Sequence, residues 1–282
     1  MNHASSLHSD RPPARCGTSR AICASAGAPG GMSDLLQLMG ADTASQQLAA
    51  DIAVPVRRLR EGETLFHEGS RSEAIYFVRA GTFKIFSTAE DGYEQVLGFS
   101  GRGEVLGFDA ICTGHYPNEV LALEDSSVYV VLLRDYFELG QRIPALDRVV
   151  FRAVSAALTR RGELADVMAA VAAEVRLARF LMHLSQRMAA SGQSARRFHL
   201  RMGRRDIASY LGVAHETVSR SFSALVGLGL VSVNNREVEI LDMDGLKVFS
   251  CGTRRQIDEH SRASSLHRAQ AQPGAELLAT TA

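Results

Sequence analysis

The spacing of apolar and polar positions changes period along the chain. From Ser33 to Ile52, leucines and alanines alternate with polar residues at helical spacing, and Ser33-Asp34 is placed to cap a helix. From Val56 to Leu133 the apolar residues gather instead into short runs rich in Val, Ile, Phe, Tyr and Leu. Gly62, Gly69, Gly81, Gly92, Gly98, Gly101, Gly103, Gly107 and Gly114 punctuate these runs. Such a pattern predicts a compact antiparallel barrel or roll. Within it, Ile75 to Val78 and Thr82 to Phe86 read as two strands joined by a tight turn at Arg79-Ala80-Gly81. Glu90-Asp91-Gly92 reads as the next turn, leading into a strand from Gln95 to Phe99.

After Pro144 the glycines thin out and the period becomes helical. Val150, Val154, Ala157, Arg161, Leu164, Met168 and Val171 follow one another at spacings of four and three, along one narrow stripe of a long helix. Such a stripe suits a partner helix or the core of the same chain equally well. Arg161 interrupts it. In a symmetric pair of helices it would stand near its own twin, at a cost in stability; in a core helix its head would reach out to solvent.

Composition narrows the class. The chain has 282 residues, 46% of them apolar, with 31 Lys+Arg against 31 Asp+Glu. The longest apolar runs, Val128 to Leu133 and Val167 to Ala173, fall far short of a bilayer span, so no membrane partner is expected. Residues 1–31 are rich in Ala, Ser, Gly, Pro and Arg, lack the apolar core of a secretory signal, and read as a disordered tail. Cytoplasm is the expected location. Cys16, Cys23, Cys112 and Cys251 form no dense framework.

Charge matters only by region. Between Arg187 and Arg220, seven arginines stand against Asp206 and Glu216, a local excess of five positive charges that suggests an anionic partner. Inside this stretch Ile207, Ala208 and Leu211 make one apolar helical face, Gly212 supplies a turn, and Val218, Phe222 and Leu225 make a second face. The pattern predicts a helix-turn-helix. His215, Glu216, Thr217, Ser219 and Arg220 then cluster near the start of the second helix, which in this motif meets base edges in the major groove. Arg220 can donate to guanine O6 and N7, Glu216 can accept from a cytosine amino group, and Ser219 can bond a base or a phosphate. Arg204 and Arg205, with the helix N-termini, are expected to hold phosphates of double-stranded DNA. Gly227 to Leu241 reads as a hairpin turning at Asn234-Asn235, which completes a winged helix.

From about Gly62 to Leu241 the sequence closely resembles the CRP/FNR family of bacterial transcription regulators, and within it the FNR-like branch. The resemblance rests on Gly62-Glu-Thr-Leu-Phe66, Gly98-Phe99, Gly103-Glu-Val-Leu-Gly-Phe-Asp-Ala-Ile111, Gly114-His-Tyr-Pro117 and the recognition segment Glu216-Thr-Val-Ser-Arg220. It implies an α+β chain: a double-stranded β-roll sensor over residues 32–143, a dimerisation helix over 144–173, a winged-helix DNA-binding domain over 174–247 and a weakly ordered tail over 248–282. It further implies a homodimer on an inverted repeat of TTGA-type half-sites, and it reads the helix stripe as the dimer seam. Ala89 to Tyr93 and Phe108-Asp109 fall where relatives touch RNA polymerase. In oxygen-responsive relatives a seam charge opposes dimerisation until a signal overrides it, which gives Arg161 a role.

Each effector known in the family needs its own set of residues. Cyclic-nucleotide-binding members use an Arg-Ser pair to hold the cyclic phosphate. The corresponding stretch, His115 to Leu121, lacks that pair, which argues against cyclic AMP. An iron-sulfur cluster needs four thiolates. Here Cys16 and Cys23 lack a third N-terminal partner and Tyr129 stands where the fourth cysteine is expected, so Cys16, Cys23 and Cys112 read as free thiols rather than a reshaped cluster. For haem, His67, His115 and His183 are candidates only as any histidine is. No cofactor is assigned. Cys251, near Arg254 and Arg255, reads as a free thiol of the tail rather than a redox sensor. The expected signal is redox, oxygen or nitric-oxide related. An enzyme on a cupin-like barrel would need more ligands than His67 and His115 supply. A cyclic-nucleotide-binding module that docks another protein leaves the helix-turn-helix unexplained.

Overall fold

The computed structural model describes residues 30–252. The first strand, β1 (Gly30–Gly31), pairs antiparallel with β2 (Ala53–Val54) around two short helices, α1 (Met32–Leu38) and α2 (Thr43–Leu48). Gly30 and Gly31, expected within the N-terminal tail, are thus a strand, and the single helix expected from Ser33 divides at Gly40. Asp34 accepts a bond from the Gly31 amide, and Asp42 caps the second helix through the Ser45 amide.

The roll follows: β3 (Val56–Leu59), β4 (Thr64–Phe66), β5 (Ala74–Ala80), β6 (Phe83–Thr88), β7 (Glu94–Ser100), β8 (Val105–Leu106), a 3-10 turn at Phe108–Ala110, β9 (Glu119–Ala122) and β10 (Ser126–Leu132). They form two four-stranded antiparallel sheets, ordered β3-β10-β5-β8 and β4-β9-β6-β7. Strands β5 and β10 are buried on both faces. Ala74, Tyr76, Val78, Val128 and Val130 fill the roll interior, while Ile75, Phe77, Tyr129 and Val131 pack outward against helices. Double burial explains why the segment from Val128 reads as a continuous apolar run rather than an alternating one.

The turn between β5 and β6 is not a hairpin, because the two strands lie in different sheets. Gly81 carries the chain across with φ +95°, and a Cβ there would stand 2.0 Å from the Ser126 hydroxyl. The hairpin lies one turn later, where β6 pairs with β7. Strand β7 ends its sheet.

Next come α3 (Leu133–Arg142) and the long helix α4 (Pro144–Ala169), which has Pro144 at its first turn. The helix stops short of the expected residue 173: Ala170 and Ala172 are extended, with ψ of 134° at each. Helix α5 (Ala173–Ala190) then leads into β11 (Arg197–His199), α6 (Arg204–Leu211), α7 (His215–Gly227), β12 (Val231–Asn234), β13 (Glu237–Ile240) and α8 (Met243–Cys251). The wing carries a third strand, β11, beside the expected hairpin, and its turn at Asn235 takes a positive φ of 55°. The expected C-terminal tail from 248 begins inside α8, so Cys251 is the exposed last residue of a helix. No described helix is long and apolar enough to cross a membrane.

Candidate nucleic-acid interface

Helices α6 and α7 meet at Gly212, whose left-handed backbone (φ 61°, ψ 42°) ends α6 and starts the turn. A Cβ at Gly212 would stand 2.8 Å from the Met168 Cε, so close approach to α4 also favours glycine there. Asp206 in the first turn of α6 accepts a 2.9 Å bond from the Gly203 amide. Ile207, Ala208 and Leu211 of α6 join Val218, Phe222 and Leu225 of α7 in one core with Leu177 and Leu181 of α5, Val238 of the wing and Leu246 of α8. These are the apolar positions expected from the sequence. Their burial fixes which face of α7 looks outward.

That outward face carries His215, Glu216, Ser219 and Arg220, all exposed, with Thr217 half-buried beside them. Arg220 Nη2 lies 3.4 Å from Thr217 Oγ1, and His215 Nδ1 lies 3.3 Å from Glu216 Oε1. Its own backbone amide first, then His215 and Arg220, hold the Glu216 carboxyl below its ordinary range. The structure thus presents a carboxylate acceptor and a guanidinium donor on adjacent turns of one helix.

The basic run is redistributed by folding. Arg187 turns inward to Glu104 (2.8 Å), Arg197 pairs with Glu239 (2.7 Å), and Arg201 pairs with Glu124 (3.1 Å). Arg204 sits over the Phe222 ring, its Cζ 3.6 Å from the centroid, and donates to the Asn235 carbonyl in the wing turn, while its Nη1 is buried without a partner. Burial pushes its guanidinium below the ordinary arginine range. Arg204 is thereby a brace between α6, α7 and the wing, whereas Arg205 is exposed. The excess of positive charge seen in sequence is spread over several faces.

Of the residues placed on the α4 stripe, Val150 is buried in the chain's own core, and Val154, Ala157 and Leu164 are half-buried. Arg161 and Met168 are exposed, and Val171 lies in the break beyond the helix. Besides Met168, α4 leaves two large apolar side chains in solvent, Phe151, 72% exposed, and Leu158, 62% exposed, on the adjoining stripe. Sequence spacing missed both. Between α4 and the roll lies a cavity of about 860 Å³ lined by Phe66, Ile85, Phe108, Phe151 and Leu158, with Arg161 and Cys112 also on its wall. Burial raises the Asp109 carboxyl there, with Asn118 (3.2 Å) and the nearby Arg161 charge opposing the rise.

The remaining sensing candidates do not converge. His67 sits 3.3 Å from Glu119, His115 bridges Arg71 by backbone pairing, and His183 lies on α5 facing Glu163 and Asp166 at 4.0 Å each. Tyr129 is buried in the core with Val56. Cys112 is the one thiol of the described roll and is exposed, with Tyr129 buried where a roll ligand is expected; Cys16 and Cys23 lie outside the described residues. Among the described residues no group of three His, Cys, Asp or Glu side chains is placed to hold a metal.

A cyclic-nucleotide-binding-type roll, a long connecting helix and a winged helix-turn-helix with an open recognition face define a DNA-binding transcription regulator. Residues 56–142 match the cyclic nucleotide-binding domain family and residues 175–249 the Crp-like helix-turn-helix domain family. The chain is 38% identical over 190 residues to the transcriptional regulatory protein btr of Bordetella pertussis, covering 67% of this chain and 78% of that one. It is 35% identical over 196 residues to the fumarate and nitrate reduction regulatory protein of Escherichia coli K12, covering 70% and 78%. Its fold matches FixK2 from Bradyrhizobium japonicum with a TM-score of 0.63 at 24% identity, over 71% of this chain and 98% of that one. The chain belongs to the CRP/FNR family, in its FNR-like branch.

Proposed function

We propose that the protein works as a homodimer that binds an inverted repeat of TTGA-type half-sites in the cytoplasm and responds to a redox, oxygen or nitric-oxide related signal. The observation that carries the reading is the face of α7, where Glu216, Ser219 and Arg220 stand exposed together while Val218, Phe222 and Leu225 anchor the helix from behind. A planar guanidinium matches guanine O6 and N7, and a carboxylate held ionised matches a cytosine amino group. Arg205 supplies phosphate contact. A second copy of α4 covers Phe151 and Leu158, and a twofold pair of recognition helices reads a palindrome.

RNA polymerase is the further partner, through the turn that carries the exposed Tyr93 and through Phe108-Asp109. The signal class follows the relatives, one of which is named for fumarate and nitrate reduction. Cyclic AMP is not the effector: Asn118 and Glu119 occupy the stretch where a cation and hydroxyl would be needed, and Glu119 is engaged by Thr64 and His67. The test is a binding selection from randomised DNA, run with and without oxygen. A TTGA-type inverted repeat is the expected product, and Arg220→Ala loses about 1–3 kcal/mol and its preference at one guanine. An unchanged sequence preference in the Arg220→Ala selection would falsify the reading head.

A further inference from the structure

Strand β7 ends its sheet, so alternate backbone groups along it point away from β6 with no strand to receive them. The DNA-binding domain fills that edge. The Ser209 hydroxyl on α6 donates to the Glu94 carbonyl at 2.7 Å and accepts from the Val96 amide at 2.8 Å, taking the place of a neighbouring strand. Gln95 reaches back to the Ser209 carbonyl at 3.1 Å, and Arg187 on α5 donates to the Phe99 carbonyl farther along the same edge at 2.9 Å.

Beside Ser209 stands Lys84, the one lysine of the roll, with only 7% of its surface exposed. Its ammonium contacts Glu94 of β7 at 2.6 Å and Asp206 of α6 at 3.3 Å, and it lies 4.5 Å from the Phe86 ring centroid. Burial alone would drive this ammonium down, but the two carboxylates more than offset the burial and hold it above its ordinary range. The other Asp206 oxygen caps α6 at Gly203, so a single carboxylate serves both the start of the helix-turn-helix and its attachment to the sensor. The covalent connection between α4 and α5 is the extended stretch Ala170 to Ala172, which leaves the orientation of the DNA-binding domain to such contacts.

We infer that Lys84 and Ser209 are positioning residues that lock the helix-turn-helix against the edge of β7 and so set which half-site spacing the dimer reads. The inference rests on the dimeric reading above. The recognition face is open in the locked arrangement, so the lock and DNA contact are compatible. Two recognition helices held at a fixed angle and separation accept one half-site spacing, because insertion of base pairs moves and rotates the second half-site. Helices freed of Lys84 and Ser209 keep only the looser ties of Arg187 to Glu104 and Arg201 to Glu124 beside the covalent link, and so tolerate more spacings.

The experiment measures full-length wild type, Ser209→Ala and Lys84→Met on inverted repeats of graded spacing and on an isolated half-site. Both substitutions are small in volume, and half-site affinity confirms a folded motif in each. Wild type is expected to prefer one spacing by about tenfold over a spacing about two base pairs longer. In the variants that preference falls to about threefold or less while the base preference within each half-site and the affinity for a single half-site persist. A wild type with no spacing preference overturns the dimeric reading, and the lock with it. A wild type with a sharp preference that both variants retain overturns the lock alone.

Discussion

Truncating Leu158 separates a dimer seam from a helix that merely faces solvent. Removing the leucine side chain down to alanine from a fully buried site forfeits about 2 kcal/mol of transfer free energy. In the single chain 62% of Leu158 remains exposed, and burying that fraction against a partner is therefore worth about 1.2 kcal/mol per copy. A twofold seam counts the contact twice, which makes about 2.5 kcal/mol and weakens the dimer about 70-fold. Sedimentation across a concentration series reads this shift directly. Leu158→Ala should leave the melting temperature of the monomer unchanged, because nothing in the chain's own core depends on it. Val150→Ala is the contrast: Val150 is 5% exposed within its own chain, so the change costs about 1–2 kcal/mol of folding stability. A dimer constant for Leu158→Ala within about twofold of wild type would show that the partner helix does not cover this stripe.

Arg205→Ala should weaken binding to all DNA sequences and flatten the salt dependence, since it removes a phosphate contact; Arg204→Ala should in addition lower thermal stability, because Arg204 is stacked on Phe222 and tied to the wing. Equal salt slopes for Arg205→Ala and wild type, from filter binding at several ionic strengths, would count against the phosphate role. Arg161→Ala should tighten the dimer, the seam charge being unfavourable when two copies meet, and a weaker or unchanged dimer by sedimentation would refute that. Cyclic AMP should bind without measurable heat in titration calorimetry, and micromolar binding would overturn the argument from Asn118 and Glu119.

The helix-turn-helix was legible because its determinants are local: Ile207, Ala208 and Leu211, then Gly212, then Val218, Phe222 and Leu225, each within a turn or two of the next. The roll was legible as a class and not in its pairing. Ile75 to Val78 and Thr82 to Phe86 look like a hairpin, and only the pairing of the second strand with β7 and β9 places it in the other sheet. The end of α4 was hidden for a similar reason, since Ala170-Val171-Ala172 contains no helix breaker. The Ala170 carbonyl is instead captured by Arg176, whose guanidinium also binds the Leu211 carbonyl of α6. The arginine run pointed to an anionic partner but not to which arginines face it, because Arg187, Arg197 and Arg201 find Glu104, Glu239 and Glu124, partners distant in sequence. On α4, packing against α1 and α3 draws Val150 into the chain's own core and leaves Phe151 and Leu158 outside it, which spacing alone does not reveal.

The cover that α6 lays over β7 bears on how the chain can be divided. A sensor fragment ending near Ala170 would lose Ser209, leaving the Glu94 carbonyl and Val96 amide facing solvent on a bare sheet margin. Phe86, Val96 and Phe99, now packed under the DNA-binding domain, would be uncovered beside them. Such a margin recruits strands from other molecules, so the fragment should clump where the whole chain stays dispersed, and the second domain protects the first from self-association.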